Sequence, residues 1–160
     1  MVSIDEDLDA DQDDQLQLKP GMKVLDMGCG VGTVSLAASF AAENISVMAL
    51  DSNPRAIQCT QLSAQLNDAK GITAILDCEG QSASTGDFDL VLANPPYFSN
   101  YAIAELFLDT AYRALKTGGT VHVVTKTANW FLERMPMWFV DIQESEAGDY
   151  RVLTARMPKR

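Results

Sequence analysis

The chain has one histidine, three cysteines and no C-x-x-C pair among its 160 residues. Cys29, Cys59 and Cys78 are odd in number, so neither a disulfide framework nor a zinc site is suggested, and a reduced, cytoplasmic setting fits best. No apolar run approaches the roughly 20 residues that a membrane span requires. The N-terminus is acidic and lacks an apolar core segment, which predicts no secretory signal. Internal repeats and dividing linkers are missing too, and at this length that predicts one domain.

Basic residues are scarce: 12 Lys and Arg stand against 22 Asp and Glu, a net charge of −10. The deficit is uneven. Residues 1–18 contain seven acids and no base, while the remainder carries 15 acids against 12 bases. Blocks of like charge are solvated and mobile. Residues 1–18 are therefore expected to form a flexible acidic tail, and 19–160 a single folded domain. The body is close to neutral, so it supplies no general phosphate-binding charge.

What the sequence does hold is a short-range alternation of strand-like and helix-like patches, the pattern of parallel βαβ units. Strands are expected at Lys23–Met27, Ser46–Leu50, Gly71–Leu76, Phe88–Ala93 and Thr120–Thr125. Helices are expected at Val31–Ala42, from Pro54 to about Asn67 behind an Asn53 cap, and at Ala102–Leu115 before Lys116 and Gly118-Gly119. Glu79–Gly86 is too polar and short for more than a reduced helix, and Trp130–Met135 gives at most a short one. Met137–Glu144 and Tyr150–Arg156 flank a gap with no room for a helix, so they are expected to form an antiparallel hairpin at one sheet edge.

Two motifs carry chemistry. In the first, Gly28, Gly30 and Gly32 follow a strand and open a helix, around Cys29. Such a turn lets a ligand lie against the main chain, and the helix N-terminus favours a carboxylate. A dinucleotide fingerprint wants glycine at 33, where this chain has Thr33. The spacing therefore favours the methionine carboxylate of S-adenosylmethionine (SAM) over a pyrophosphate. Asp26 is expected beside the ligand's ammonium and sulfonium region. Asp51, with Ser52 after it, ends the second strand where an acid accepts from both ribose hydroxyls. At the adenine end Asp77 or Glu79 offers an acceptor for the amino group, and Cys78 a backbone N–H.

The second motif is Asn94-Pro95-Pro96-Tyr97, leaving the fourth strand beside the glycine turn. Asn94 offers a side-chain carbonyl, and Pro96 fixes the direction of the Pro95 carbonyl. Two fixed acceptors grip an exocyclic –NH2 group and free its lone pair, while Tyr97 offers a stacking face. Phe98 and Tyr101 fit a stacking wall or the core equally well. His122 reads as a core or edge histidine, and Lys126 ends the fifth strand facing solvent, the acceptor or a phosphate. Trp130, Phe131, Trp138 and Phe139 read as hairpin core or a partner surface.

These motifs resemble the class I SAM-dependent methyltransferases from Lys19 onward. Asp26 to Gly32, the Phe88–Pro96 stretch, Val123-Val124-Thr125-Lys126 and the closing Asp149–Ala155 stretch are most similar to the small-subunit ribosomal RNA guanine-N2 methyltransferase-like domain. Members carry a segment or domain ahead of the first strand, where this chain has its acidic stretch. The resemblance implies an α/β, Rossmann-like sheet, mostly parallel with a C-terminal antiparallel hairpin and helices on both faces. It implies SAM as cofactor, no metal, and RNA as substrate, methylated on guanine N2 or adenine N6. Alternatives are a protein-glutamine methyltransferase, a small-molecule methyltransferase and a non-catalytic SAM-binding module.

Overall fold

In the computed structural model residues 17–96 and 101–159 are described. Seven strands form one sheet: β1 (Lys23–Met27), β2 (Ser46–Asp51), β3 (Ile72–Leu76), β4 (Phe88–Ala93), β5 (Leu115–Thr125), β6 (Val140–Ala147) and β7 (Tyr150–Arg156). They lie in the order β3-β2-β1-β4-β5-β7-β6. The first five are parallel, while β7 runs antiparallel between β5 and the edge strand β6. Among the described residues the α-helices are α1 (Thr33–Ala41), α2 (Pro54–Leu66), α3 (Ala102–Ala114) and α4 (Ala128–Arg134).

Alternation along each strand divides the core between the sheet's two faces. Val24, Val47 and Leu90 pack with Ala38 of α1, and Ala49 packs with Ile57 of α2. Leu25, Met27, Val91 and Ala93 point the other way, into a larger cluster with Leu108 and Ala111 of α3 and Phe131 of α4. Helices thus cover both faces. The caps follow the sequence: the Asn53 side chain accepts from the Arg55 amide at 3.0 Å, with Pro54 in the first turn of α2.

Several boundaries differ from the sequence-based expectation, and β6 runs over Val140–Ala147 where Met137–Glu144 was expected. Strand β5 starts at Leu115, directly after α3, and Phe88 pairs with Leu115 while Leu90 pairs with Thr120. The glycine pair Gly118-Gly119 therefore sits in an irregular strand and does not follow the helix. Asp89 holds that irregularity in place by accepting from the Lys23 amide at 2.8 Å and pairing with Lys116. Helix α4 begins at Ala128, two residues early, and a 3₁₀ turn over Met135–Met137 follows it. The hairpin turn shrinks to Gly148-Asp149, since Ala147 pairs with Tyr150. Among the described residues no helix is long and apolar enough to cross a membrane, and no group of three or more His, Cys, Asp or Glu is placed to hold a metal ion.

Candidate functional site

Parallel pairing brings the two motifs together. Met27, the last residue of β1, pairs with Ala93, the last of β4, so Gly28 and Asn94 leave neighbouring strands at the same edge. Met27 also pairs with Leu50, which sets Asp51 and Ser52 on the other flank. In an open α/β sheet this carboxyl edge is where ligands bind. A cavity of about 510 Å³ lies there, lined by Gly28, Asp51, Ser52, Asp77, Cys78, Asn94, Pro95 and Pro96. Tyr97 lies outside the described residues.

Helix α3 forms the opposite wall. Ile103, Leu106, Phe107 and Thr110 all line the cavity, and the Phe107 ring lies 3.4 Å from where a Cβ on Gly28 would stand. The sequence reading did not single these out. Their i, i+3, i+4, i+7 spacing was visible, but nothing local says whether such a stripe faces core or ligand. Gly80 lines the cavity as well, between Cys78 and α3.

Asp51 is held before any ligand arrives. Its Oδ2 accepts from the Gly30 amide at 3.0 Å and its Oδ1 from the Asn53 amide at 2.8 Å. One carboxylate thus ties the glycine turn to the start of α2, with lone pairs remaining on both oxygens.

Five residues expected at the cofactor do not line the cavity. Asp26 is 4% exposed and accepts from the Ser35 hydroxyl at 2.5 Å, so it anchors the first turn of α1. Burial raises its carboxyl above the ordinary value, although the Ser35 hydroxyl and amide pull it back down. The Cys29 side chain is buried against Ala49 and Ile57, 3.4 Å from the Thr60 hydroxyl, and burial raises its thiol. Gly30 is engaged with Asp51 through its amide and with the Thr60 hydroxyl through its carbonyl. Gly32, at φ +86°, packs against α2, and an added Cβ would stand 2.9 Å from Thr60 Oγ1. Its tight approach serves helix packing, a structural reason for the third glycine. Glu79 is exposed, its amide bound to Asp77.

Asp77 does border the cavity, yet its oxygens accept from the amides of Glu79, Gly80 and Ser82 at 2.8–2.9 Å. Burial alone would raise this carboxyl, but those amides together with the Ser82 hydroxyl hold it below its ordinary value. Its work is to fold the 3₁₀ turn Gln81–Ala83.

The arrangement offers an anchored acceptor fork at Asp51, a side-chain-free floor at Gly28, an apolar wall from α3 and a polar diproline turn. Its volume is in the range of small-molecule sites. The profile of the methyltransferase small domain family matches residues 14–154. Ribosomal RNA small subunit methyltransferase C of Pseudoalteromonas translucida is 34% identical over 134 residues, which is 81% of this chain and 36% of that protein. The protein of the same name from Serratia proteamaculans is 30% identical over 135 residues, 82% of this chain and 36% of the relative. The chain thus spans little more than a third of the length of these relatives. Among solved structures, a 16S rRNA N2 methyltransferase of T. thermophilus in complex with AdoMet and guanosine aligns with a TM-score of 0.77 at 22% identity, covering 86% of this chain and 38% of that one. A putative rRNA-methylase from Clostridium thermocellum aligns at 0.72 with 21% identity, covering 89% and 90%. At such identities the structures speak for the fold, while the profile spans nearly all of the described residues: the chain belongs to the methyltransferase small domain family.

Proposed function

We propose that residues 19–160 are one catalytic domain of a SAM-dependent N-methyltransferase. Its acceptor is an exocyclic amino group in ribosomal RNA, guanine N2 or else adenine N6, and its setting is the cytoplasm. One observation carries the reading: the glycine turn and the Asn94-Pro95-Pro96 turn leave paired strands and border one cavity. The relatives' names as ribosomal RNA methyltransferases, and the AdoMet and guanosine bound to a structural neighbour, support the same assignment.

When bound, SAM supplies an electrophilic methyl group on a sulfonium. Asp51 accepts from the ribose hydroxyls with its remaining lone pairs, and Ser52 borders the same sugar. Gly28 leaves room for the methionine portion. Since the Asp77 oxygens already serve the turn, the Cys78 amide meets the adenine edge and the apolar residues of α3 cover the ring. Asp26, Cys29, Gly30 and Gly32 act one step back, by shaping the turn and holding Asp51.

On the acceptor side, the Asn94 side-chain carbonyl and the Pro95 carbonyl accept the two amino hydrogens. This grip pulls the nitrogen toward tetrahedral geometry and aims its lone pair into the cavity. No strong base is required, because the proton leaves after the nitrogen has become cationic.

The test is to incubate the chain with methyl-labelled SAM and, separately, ribosomal RNA and release-factor protein. Label in the RNA is expected, with Asn94→Ala slowing transfer roughly a hundredfold. Label in protein alone, or full transfer by Asn94→Ala, would overturn the assignment.

A further inference from the structure

A second hollow of about 620 Å³ opens at the N-terminal cap of α3, and Tyr101, Lys126, Trp130, Glu144, Asp149 and Arg151 border it. Tyr101 lies two residues before Ile103 of the first cavity. Its ring stacks flat on Trp130, with centroids 4.7 Å apart and planes 9° from parallel. Trp130 has two further partners: Phe131, only 2% exposed, meets it edge-on at 5.0 Å, and the Arg134 guanidinium lies 5.8 Å from its centroid. Tyr101 itself is 42% exposed. It sits at φ +53°, a left-handed backbone that a tyrosine rarely adopts, and strain of this kind gathers at binding sites.

The rim carries little net charge. Lys126 and Arg151 stand against Glu144 and Asp149, and Arg151 is already paired with Glu144 and Glu146. Lys126 lies 4.8 Å from the Tyr150 ring centroid. A ligand recognised here is therefore recognised through a flat face more than through its charge. An unpaired nucleobase matches that description, because every base has a π-face and stacking on aromatic rings tolerates any sequence.

We propose that the Tyr101–Trp130 pair is a stacking platform for an unpaired base of the substrate RNA that flanks the methylated one. This rests on the reading of the first cavity as the acceptor site. The platform fixes the strand's register on the enzyme, so Tyr101 is a positioning residue and takes no part in methyl transfer.

The test titrates a labelled single-stranded RNA heptamer containing one guanine into the whole chain, followed by anisotropy. Tyr101→Leu keeps apolar bulk and removes the ring; it should weaken binding about tenfold. Tyr101→Phe should restore it, and SAM affinity by calorimetry should not change with either. In transfer assays the Tyr101→Leu loss should appear in KM for the heptamer and be much smaller for free guanosine, which has no flanking base. Wild-type binding by Tyr101→Leu, an equal loss on guanosine, or a platform that takes a glutamine peptide and no RNA would each overturn the proposal. The two readings fail separately. Ring-dependent RNA binding without transfer leaves the platform standing and removes the enzyme assignment, and transfer indifferent to Tyr101 does the opposite.

Discussion

Gly30 and Gly32 stand two residues apart in one turn, both left-handed, at φ +56° and +86°. A methyl group added at Gly30 meets nothing within 4 Å, whereas one at Gly32 would stand 2.9 Å from Thr60 Oγ1 and 3.1 Å from the Thr60 Cα. Gly30→Ala should therefore cost only the left-handed strain, about 1 kcal/mol. Gly32→Ala adds overpacking against the α2 backbone, for a total of about 3 kcal/mol. Urea denaturation of the two variants measures the difference; equal losses would mean that the Thr60 contact does not constrain the turn. Asp26 and Cys29 teach a related lesson. A motif names residues at fixed spacing, but which of them touches ligand depends on the face each side chain takes. With β1 between α1 and α3, Asp26 alternates onto the α1 side and away from the cavity.

Among elements, the βαβ part of the chain was legible because its signals are local. Asn53-Pro54 opens α2, and the strands through Ala93 are short apolar runs bounded by turn residues. The start of β5 was not legible. Lys116 to Gly119 reads as a helix stop, and only a distant partner, Asp89, turns it into an irregular strand. The α3 wall was missed for the same reason, since its ligand-facing stripe and its core stripe look alike in sequence. Asp77 belongs to this scale as well, because it builds an element. Its carboxyl lies below the ordinary 3.8, so the stability it contributes is present above that value and lost as pH falls through the lowered one. Asp26 has the opposite sign: its contribution declines as pH rises from the ordinary value toward its raised one. Asp77→Asn, which cannot accept from three amides at once, should destabilise by about 1 kcal/mol at neutral pH. That deficit should shrink below the ordinary carboxylate range. Chemical denaturation at pH 7 and pH 3 checks this, and a constant deficit would contradict it.

For the whole molecule, charge is the informative quantity. Lys23, Lys70, Arg113, Lys116, Arg134, Arg151 and Arg156 are each already within ion-pair distance of a carboxylate. Exposed pairs of this kind add little stability, but they occupy cations that would otherwise meet phosphates. RNA binding should accordingly depend weakly on salt, with a slope of log K against log salt no steeper than about −2. Anisotropy titrations between 50 and 200 mM salt would measure it, and a markedly steeper slope would point to a phosphate-binding surface other than the one described.

The grip of two amides on Asp51 has a last implication, for chemical selectivity. A carboxylate held from the glycine turn on one oxygen and from Asn53 on the other cannot rotate to suit its guest. On the proposed reading a diol would find both acceptors ready, whereas a 2′- or 3′-deoxy analogue would leave one oxygen with its amide partner alone. The domain should therefore discriminate against deoxy cofactor analogues more sharply than a site with a mobile acid would.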